Sequence, residues 1–266
     1  MRTIVLFLIL LGCGTSHITA QNDYLVTTIP NQEDPLSEEE QFIKENFPLQ
    51  LLCKWTPGMK FMFIPSGRDM FLPTLSVYET EKGADNSVLK HKILTFAGYE
   101  EKSQKLSNDM SYSTRLIFEC DGEKYYYEIK NTRPDEICEK NPRAYINGLV
   151  NLKDVDTAKD LLRGRKIYVQ SDMAQVDDAN SYSGYREVSI PVNTEATITA
   201  IGVGSQAYPV KIIFQDSQGH TYYLEVALSR TNSGMDVSDF QAEKKMRYFS
   251  NAISFSSKKS GNLETL

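Results

Sequence analysis

The chain has 266 residues, 41% of them hydrophobic and 24% charged, with a formal net charge of −6 at pH 7. These proportions exclude a largely disordered chain, and the length accommodates two small domains. The acidic balance, with only short basic pairs such as Lys244-Lys245 and Lys258-Lys259, argues against a nucleic-acid binder, which needs clustered cations over the phosphates.

Residues 1–20 read as an export signal. Arg2 is the charged start, residues 4–11 are an unbroken apolar run, and small or polar residues follow. The run is shorter than the roughly 20 residues a membrane span requires. Two endings compete. Ile18-Thr19-Ala20 before Gln21 fits a signal-peptidase site, whereas Leu10-Leu11-Gly12-Cys13 resembles a lipobox in which Cys13 would take the lipid. Cleavage after Ala20 is the reading taken. Either way the protein is expected outside the cytoplasm, periplasmic or at the cell surface, and a lipid on Cys13 would be its sole membrane attachment.

Residues 21–50 are expected to form a tether and a short helix. Residues 22–35 are polar and hold two prolines, Pro30 and Pro35. Ser37 and Glu40 then have capping-box spacing, and Phe42, Ile43 and Phe47 give the helix an apolar face before Pro48. A first β-rich unit is assigned to 51–133. Its opening strand, 58–64, follows Trp55 and a Thr56-Pro57-Gly58 turn, and further strands are expected at 72–79 and 88–97. Residues 98–113 read as a surface loop or the end of a long hairpin. Residues 115–129 then form a hairpin about Asp121-Gly122, a pair suited to a turn whose central residues have positive φ.

A connector with a helix is assigned to 134–160. Residues 145–150 are ambiguous between helix and strand. Asp154 or Asp156 can cap a helix reaching Leu162, with Gly164 beyond its end. A second β-rich unit, 161–230, has strands at 164–169, 188–192 and 196–201, a polar loop at 171–183, and a closing hairpin over 211–226. Residues 231–266 hold a helix opened by a second capping box at Ser238 and Gln241, with Phe240, Met246, Tyr248 and Phe249 apolar, and a polar tail.

The two β-rich units match each other. Phe118 aligns with Phe214, Gly122 with Gly219, Tyr125-Tyr126 with Tyr222-Tyr223, and Glu128 with Glu225. Gly58-Met59-Lys60-Phe61 aligns with Gly164-Arg165-Lys166-Ile167, and Ile93 with Ile198. The expectation is a mainly β protein of two tandem small barrels or rolls related by internal duplication, with short connecting and C-terminal helices. The strand count, the Gly-x-Lys opening strand and the late aromatic hairpin resemble duplicated SH3-like barrels of exported bacterial proteins. The ALYDY stretch of eukaryotic SH3 domains and the arginine-containing motif of cell-wall SH3 modules are absent. An immunoglobulin-like or jelly-roll half fits the same strand count.

After the signal the cysteines are Cys53, Cys120 and Cys138. Cys120 shares a strand face with Leu116 and Phe118 and reads as a small buried hydrophobe. Cys53 enters the first unit and Cys138 leaves it, so these two are expected to be bridged in an oxidising compartment. No CxxC and no zinc-like Cys/His spacing occurs.

No catalytic residues, metal site or cofactor are assigned. His91 and His220 lack a nucleophile motif such as GxSxG. Asp172, Asp177, Asp178 and Asn180 lack the EF-hand spacing. The binding candidates are aromatic. Tyr126 and Tyr223 recur at matched places, and Trp55, Tyr182 and Tyr185 are further aromatic candidates; such rings offer contact area to sugars and peptides. The function expected is a non-catalytic binding or scaffolding protein of the bacterial cell envelope. It would engage an envelope protein, a peptide, peptidoglycan or another glycan. Two alternatives are a secreted hydrolase with carboxylates between the repeats and a lipid-anchored component of a surface complex.

Overall fold

Strand alternation and turn chemistry resolve the chain into two antiparallel sheets in a computed structural model, which describes residues 35–48, 50–65, 73–106, 109–140, 146, 148–205, 208–228 and 248–257. The protein is mainly β, and one of the two sheets is curled into a half-barrel. The first sheet contains β1 (Lys60–Phe63), β2 (Ser76–Val77), β3 (Ile93–Leu106), β4 (Asp109–Cys120), β5 (Glu123–Lys130) and β6 (Leu149–Asn151), in the order β2-β5-β4-β3-β1-β6. The second contains β7 (Lys166–Val169), β8 (Met173–Asp177), β9 (Tyr185–Ser189), β10 (Thr194–Ser205), β11 (Tyr208–Asp216), β12 (Thr221–Val226) and β13 (Ile253–Ser254). Its order is β13-β7-β10-β11-β12-β8-β9. The helices are α1 (Glu38–Asn46), α2 (Asn86–Leu89), α3 (Ile137–Lys140), α4 (Leu152–Leu162) and α5 (Phe249–Ala252). Among the described residues no helix is long and apolar enough to cross a membrane.

The two sheets share one strand order, with β2, β5, β4, β3, β1 and β6 standing where β8, β12, β11, β10, β7 and β13 stand, and β9 added beyond β8. The register agrees too. Lys60 faces Thr95 and Lys166 faces Thr197. Gly58 N–H donates to the Phe96 carbonyl at 2.8 Å, and Gly164 N–H to the Ile198 carbonyl at 2.8 Å. Both glycines have positive φ, 94° and 80°, where a Cβ would be strained. His91 and Asn193, each at the turn before the long hairpin, are also left-handed, at φ 62° and 69°. Phe96 pairs with Phe118 and Ile198 with Phe214, and each long strand bulges just after that pair. Phe96, not Ile93, therefore holds the place of Ile198. Ile93 lies half exposed near the start of its strand.

Each sheet has its own core. Trp55, Phe61, Phe96 and Phe118 fill the first, with Trp55 and Phe61 ring centroids 4.5 Å apart. At the matched places the second has Ile167, Ile198 and Phe214, smaller on balance, and helices make up the volume: Ile43 and Phe47 around α1, Val155, Ala158 and Leu162 from α4, and Phe249 from α5. Thus α1 precedes the first sheet in sequence but packs on the second. Its buried Glu39 carboxylate accepts from Ser254 Oγ at 2.9 Å and Phe255 N–H at 2.7 Å. Phe42 lies 5.7 Å from Phe249 and 5.2 Å from Phe255, and the Arg165 guanidinium sits 3.2 Å over the Phe255 ring. Strand β6 joins the cores, with Leu149 in the first and Val150 in the second. From Leu36 onward the chain forms one compact unit.

Residues 98–113, read as a surface loop or the end of a long hairpin, are that hairpin end and largely form the outer halves of β3 and β4. Several other expected elements change. The strand at 72–79 contracts to the two residues of β2, and 88–97 begins within the helical turn α2. The polar loop at 171–183 contains β8. The ambiguous 145–150 ends in β6, and Asn151 caps α4 by accepting from Lys153 N–H at 3.0 Å, in place of Asp154 or Asp156. The expected helix from Ser238 falls outside the described residues up to Tyr248, after which a single helical turn leads into the sheet strand β13. The export signal, the tether and Cys13 also lie outside them.

Cys53 and Cys138 are joined by a disulfide with Cα atoms 5.2 Å apart, and Cys120 is free and buried. The bridge closes a loop with a sequence separation of 85. Cys53→Ser is expected to lower stability by about 3–5 kcal/mol through restored unfolded-chain entropy, measured by urea denaturation.

Asp154 is buried in the first turn of α4, and its Oδ2 has no hydrogen-bond partner among the described residues. Burial pushes its carboxyl up to about 7 from 3.8, against a small opposing effect of Lys153. Across that window the native state keeps a proton that the unfolded chain releases, so stability falls as pH rises, by about 1.4 kcal/mol per pH unit. Asp154→Asn is expected to raise the denaturation midpoint at about pH 8 and to leave it unchanged at about pH 3, where both forms are neutral.

Candidate functional site

Alternation along β8, β9 and β12 turns Gln175, Asp177, Tyr185, Glu187, Tyr223 and Glu225 away from the core onto one face of the second sheet. Pairing brings them into adjacent rows: Tyr223 faces Gln175, Gln175 faces Glu187, and Asp177 faces Tyr185. Lys211 on β11 faces Glu225. Together with Tyr208 and Met173 these side chains line a groove of about 980 Å³, a size that accommodates a small ligand or part of a peptide.

Tyr223 forms the floor. It is 8% exposed, and Lys211 Nζ lies 3.6 Å over its ring and 3.7 Å from Asp177 Oδ1. The ring face attracts the ammonium and the carboxylate partly neutralises it, so the lysine is held flat on the sheet. Burial, reinforced by the charges of Asp177 and Glu225, pushes the Tyr223 phenol up to about 12, which keeps it protonated at neutral pH. Beside it Gln175 is 9% exposed, and its Oε1 has no hydrogen-bond partner among the described residues.

The matched surface of the first sheet has the same pair and no room. Arg115 and Tyr126 occupy the places of Lys211 and Tyr223, with the guanidinium 4.2 Å over the ring. The turn after β2 folds over them. Glu81 takes a 2.6 Å hydrogen bond from Arg115 and an ion pair from Lys102 at 3.0 Å, and Tyr78 donates to Glu100 at 2.7 Å. These bonds from Arg115 and Lys102 hold the Glu81 carboxyl below its ordinary range. Tyr126 is left 5% exposed and Arg115 5% exposed.

Of the expected binding residues, Tyr185 and Tyr223 come together in the groove. Tyr126 is covered by Arg115 and the turn above it. Trp55 is a correction: it is 3% exposed and packs within the first core, because the 3-10 turn Leu52–Lys54 directs it inward against Phe61 and Phe96. Tyr182 is fully exposed at the tip of the β8–β9 connection and does not line the groove. Sequence reasoning missed Lys211, Gln175 and Glu225. The alternation over 173–177 was the available signal for Gln175, and the pairing of Arg115 with Lys211 in the aligned hairpins was the signal for Lys211.

The remaining chemistry-bearing groups are accounted for locally. Asp178 accepts from Asn180 N–H at 3.0 Å within a turn, while Asp172 and Asp177 line the groove, so these acids do not form one loop site. His220 lies 3.1 Å from Asp216 Oδ2 on an exposed turn. Burial pushes the Cys120 thiol up, away from thiolate reactivity. Among the described residues no group of three or more His, Cys, Asp or Glu is arranged to hold a metal ion.

Because the Arg115 side chain is almost wholly packed and that of Lys211 is 27% exposed, truncating the two should have unequal effects. Arg115→Ala is expected to cost about 2–3 kcal/mol and Lys211→Ala about 0–1 kcal/mol in urea denaturation. No protein-family model, no curated protein and no solved structure matches the chain.

Proposed function

We propose that this is an exported, non-catalytic binding or scaffolding protein of the cell envelope, and that the groove on the second sheet is its ligand site. The observation that carries the reading is the contrast between matched faces. Where Arg115 and Tyr126 are covered by the chain's own turn, Lys211 and Tyr223 floor an open groove walled by Tyr185. Peptide, peptidoglycan or another glycan suits such a surface, since tyrosine supplies contact area together with a hydroxyl.

The shared strand order, the paired left-handed residues and the bulges after Phe96 and Ile198 support a further part of the reading. Both sheets derive from one SH3-like unit that was copied, after which one copy closed its outer face and the other kept it open. The apolar run at 4–11 and the Cys53–Cys138 bridge support export, because disulfides persist in oxidising compartments.

Screening the protein on a peptide and glycan array, with variants matched for stability, tests the site. Tyr223→Ala and Tyr185→Ala are each expected to weaken the retained ligand about tenfold, the loss of one well-packed aromatic contact. Tyr182→Ala is expected to change nothing. Equal binding by all three variants would remove the groove from the proposal.

A further inference from the structure

We infer that the groove takes a cationic N–H donor, the guanidinium or ammonium group of an arginine or lysine on an extended peptide. The inference rests on the groove being the ligand site and names the chemistry of its ligand. Its first support is charge. Asp172, Asp177 and Glu225 line the groove with one basic side chain among the described residues, Lys211, and that lysine lies against Asp177 and the Tyr223 ring. The surface is therefore complementary to positive charge, which steers a basic partner toward it.

The second support is a missing donor. Gln175 stands in the middle strand of the groove, between Tyr223 and Glu187, and is nine-tenths buried with Oε1 unpartnered among the described residues. A buried acceptor left unpaired is destabilising by about 1–3 kcal/mol. Where the Gln175 amide turns its Oε1 to the groove surface, a ligand N–H relieves that cost, and a ligand bringing only acceptors does not. Guanidinium and ammonium groups are all donor. The Tyr185 ring adds to the preference, because a cation over an aromatic ring is attracted to it, while the Tyr223 face is taken by Lys211.

The protein already uses this recognition internally. On the first sheet a guanidinium, that of Arg115, lies over Tyr126 and donates to Glu81 at 2.6 Å. In the groove Lys211 fills the equivalent place over Tyr223 and beside Asp177, and a ligand cation would meet the Tyr185 ring and the Glu225 carboxylate, which line the same groove. A peptide fits better than a free amine because β9 is the last strand of its sheet, so an extended chain can pair along its edge while one side chain reaches Gln175.

Isothermal titration of the full exported chain at low ionic strength tests this with four probes. They are the capped pentapeptide Ala-Arg-Ala-Arg-Ala, the same peptide with citrulline for arginine, spermidine and chitotriose. The arginine peptide is expected to bind at least about tenfold more tightly than its neutral citrulline twin and to weaken with added salt. Glu225→Gln is expected to weaken it about threefold to tenfold. Gln175→Leu is expected to weaken it by a similar factor while leaving the urea midpoint unchanged or raised, since an unpaired acceptor has been removed. Equal affinity for the arginine and citrulline peptides, or binding of chitotriose alone, would overturn the cationic assignment and leave the groove as a binding site. Spermidine binding as tightly as the peptide would overturn the peptide assignment. A lower urea midpoint for Gln175→Leu would show that Oε1 is satisfied and overturn the donor argument. No heat with any probe, together with array binding unaffected by Tyr223→Ala, would overturn the inference and the groove reading together.

Discussion

Glu39 ties the start of the described chain to its end, and the second sheet depends on that tie. A carboxylate taken out of water is costly unless its oxygens are matched by donors. Here the donors are Ser254 Oγ and the Phe255 backbone, supplied from the last strand of the sheet. The bond sets α1 over β13 and brings Phe42, Phe47, Phe249 and Phe255 into one aromatic group. The second core has Ile167 and Ile198 where the first has Phe61 and Phe96, and without these helices its apolar surface would be left partly in water. The second sheet is thus completed by residues that precede the first, so the two halves of the chain are interleaved rather than strung in series.

Interleaving explains why some of this fold was legible in the sequence and some was not. The hairpin about Asp121-Gly122 and the glycines at 58 and 164 declare themselves because their backbone demands are local. The bridge between Cys53 and Cys138 was legible from position alone. By contrast β8 and β9 are polar on one side because that side lines the groove, so a strand there resembles a loop. Strand β13 has only two residues, and its identity as a strand comes from a partner more than eighty residues away. The register of Ile198 against the first sheet was displaced to Ile93 because loop lengths differ between the two sheets, and the hydrogen bonds from Gly58 and Gly164, with the strand pairing, fix it on Phe96.

The candidate site shows the same division. Tyr185 and Tyr223 could be picked out as aromatic residues on strands, but a sequence does not say which ring will be covered. Tyr126 and Tyr223 hold matched places in their hairpins, and what covers one and not the other is the turn after the neighbouring strand. Glu81 reaches back over Arg115 in one sheet, and in the other the chain runs on into β9. Trp55 was misplaced for a related reason: a short 3-10 turn reverses the direction of a side chain that an extended approach would have left outside.

The disulfide has an asymmetric reach. It encloses β1 through β5 and so restricts the unfolded chain of the first sheet, whereas β7 through β13 carry no crosslink. A crosslink raises the free energy of unfolding the loop it closes. The half that carries the groove thus lacks the covalent clasp of the other, and strain put on the chain from outside meets no crosslink there.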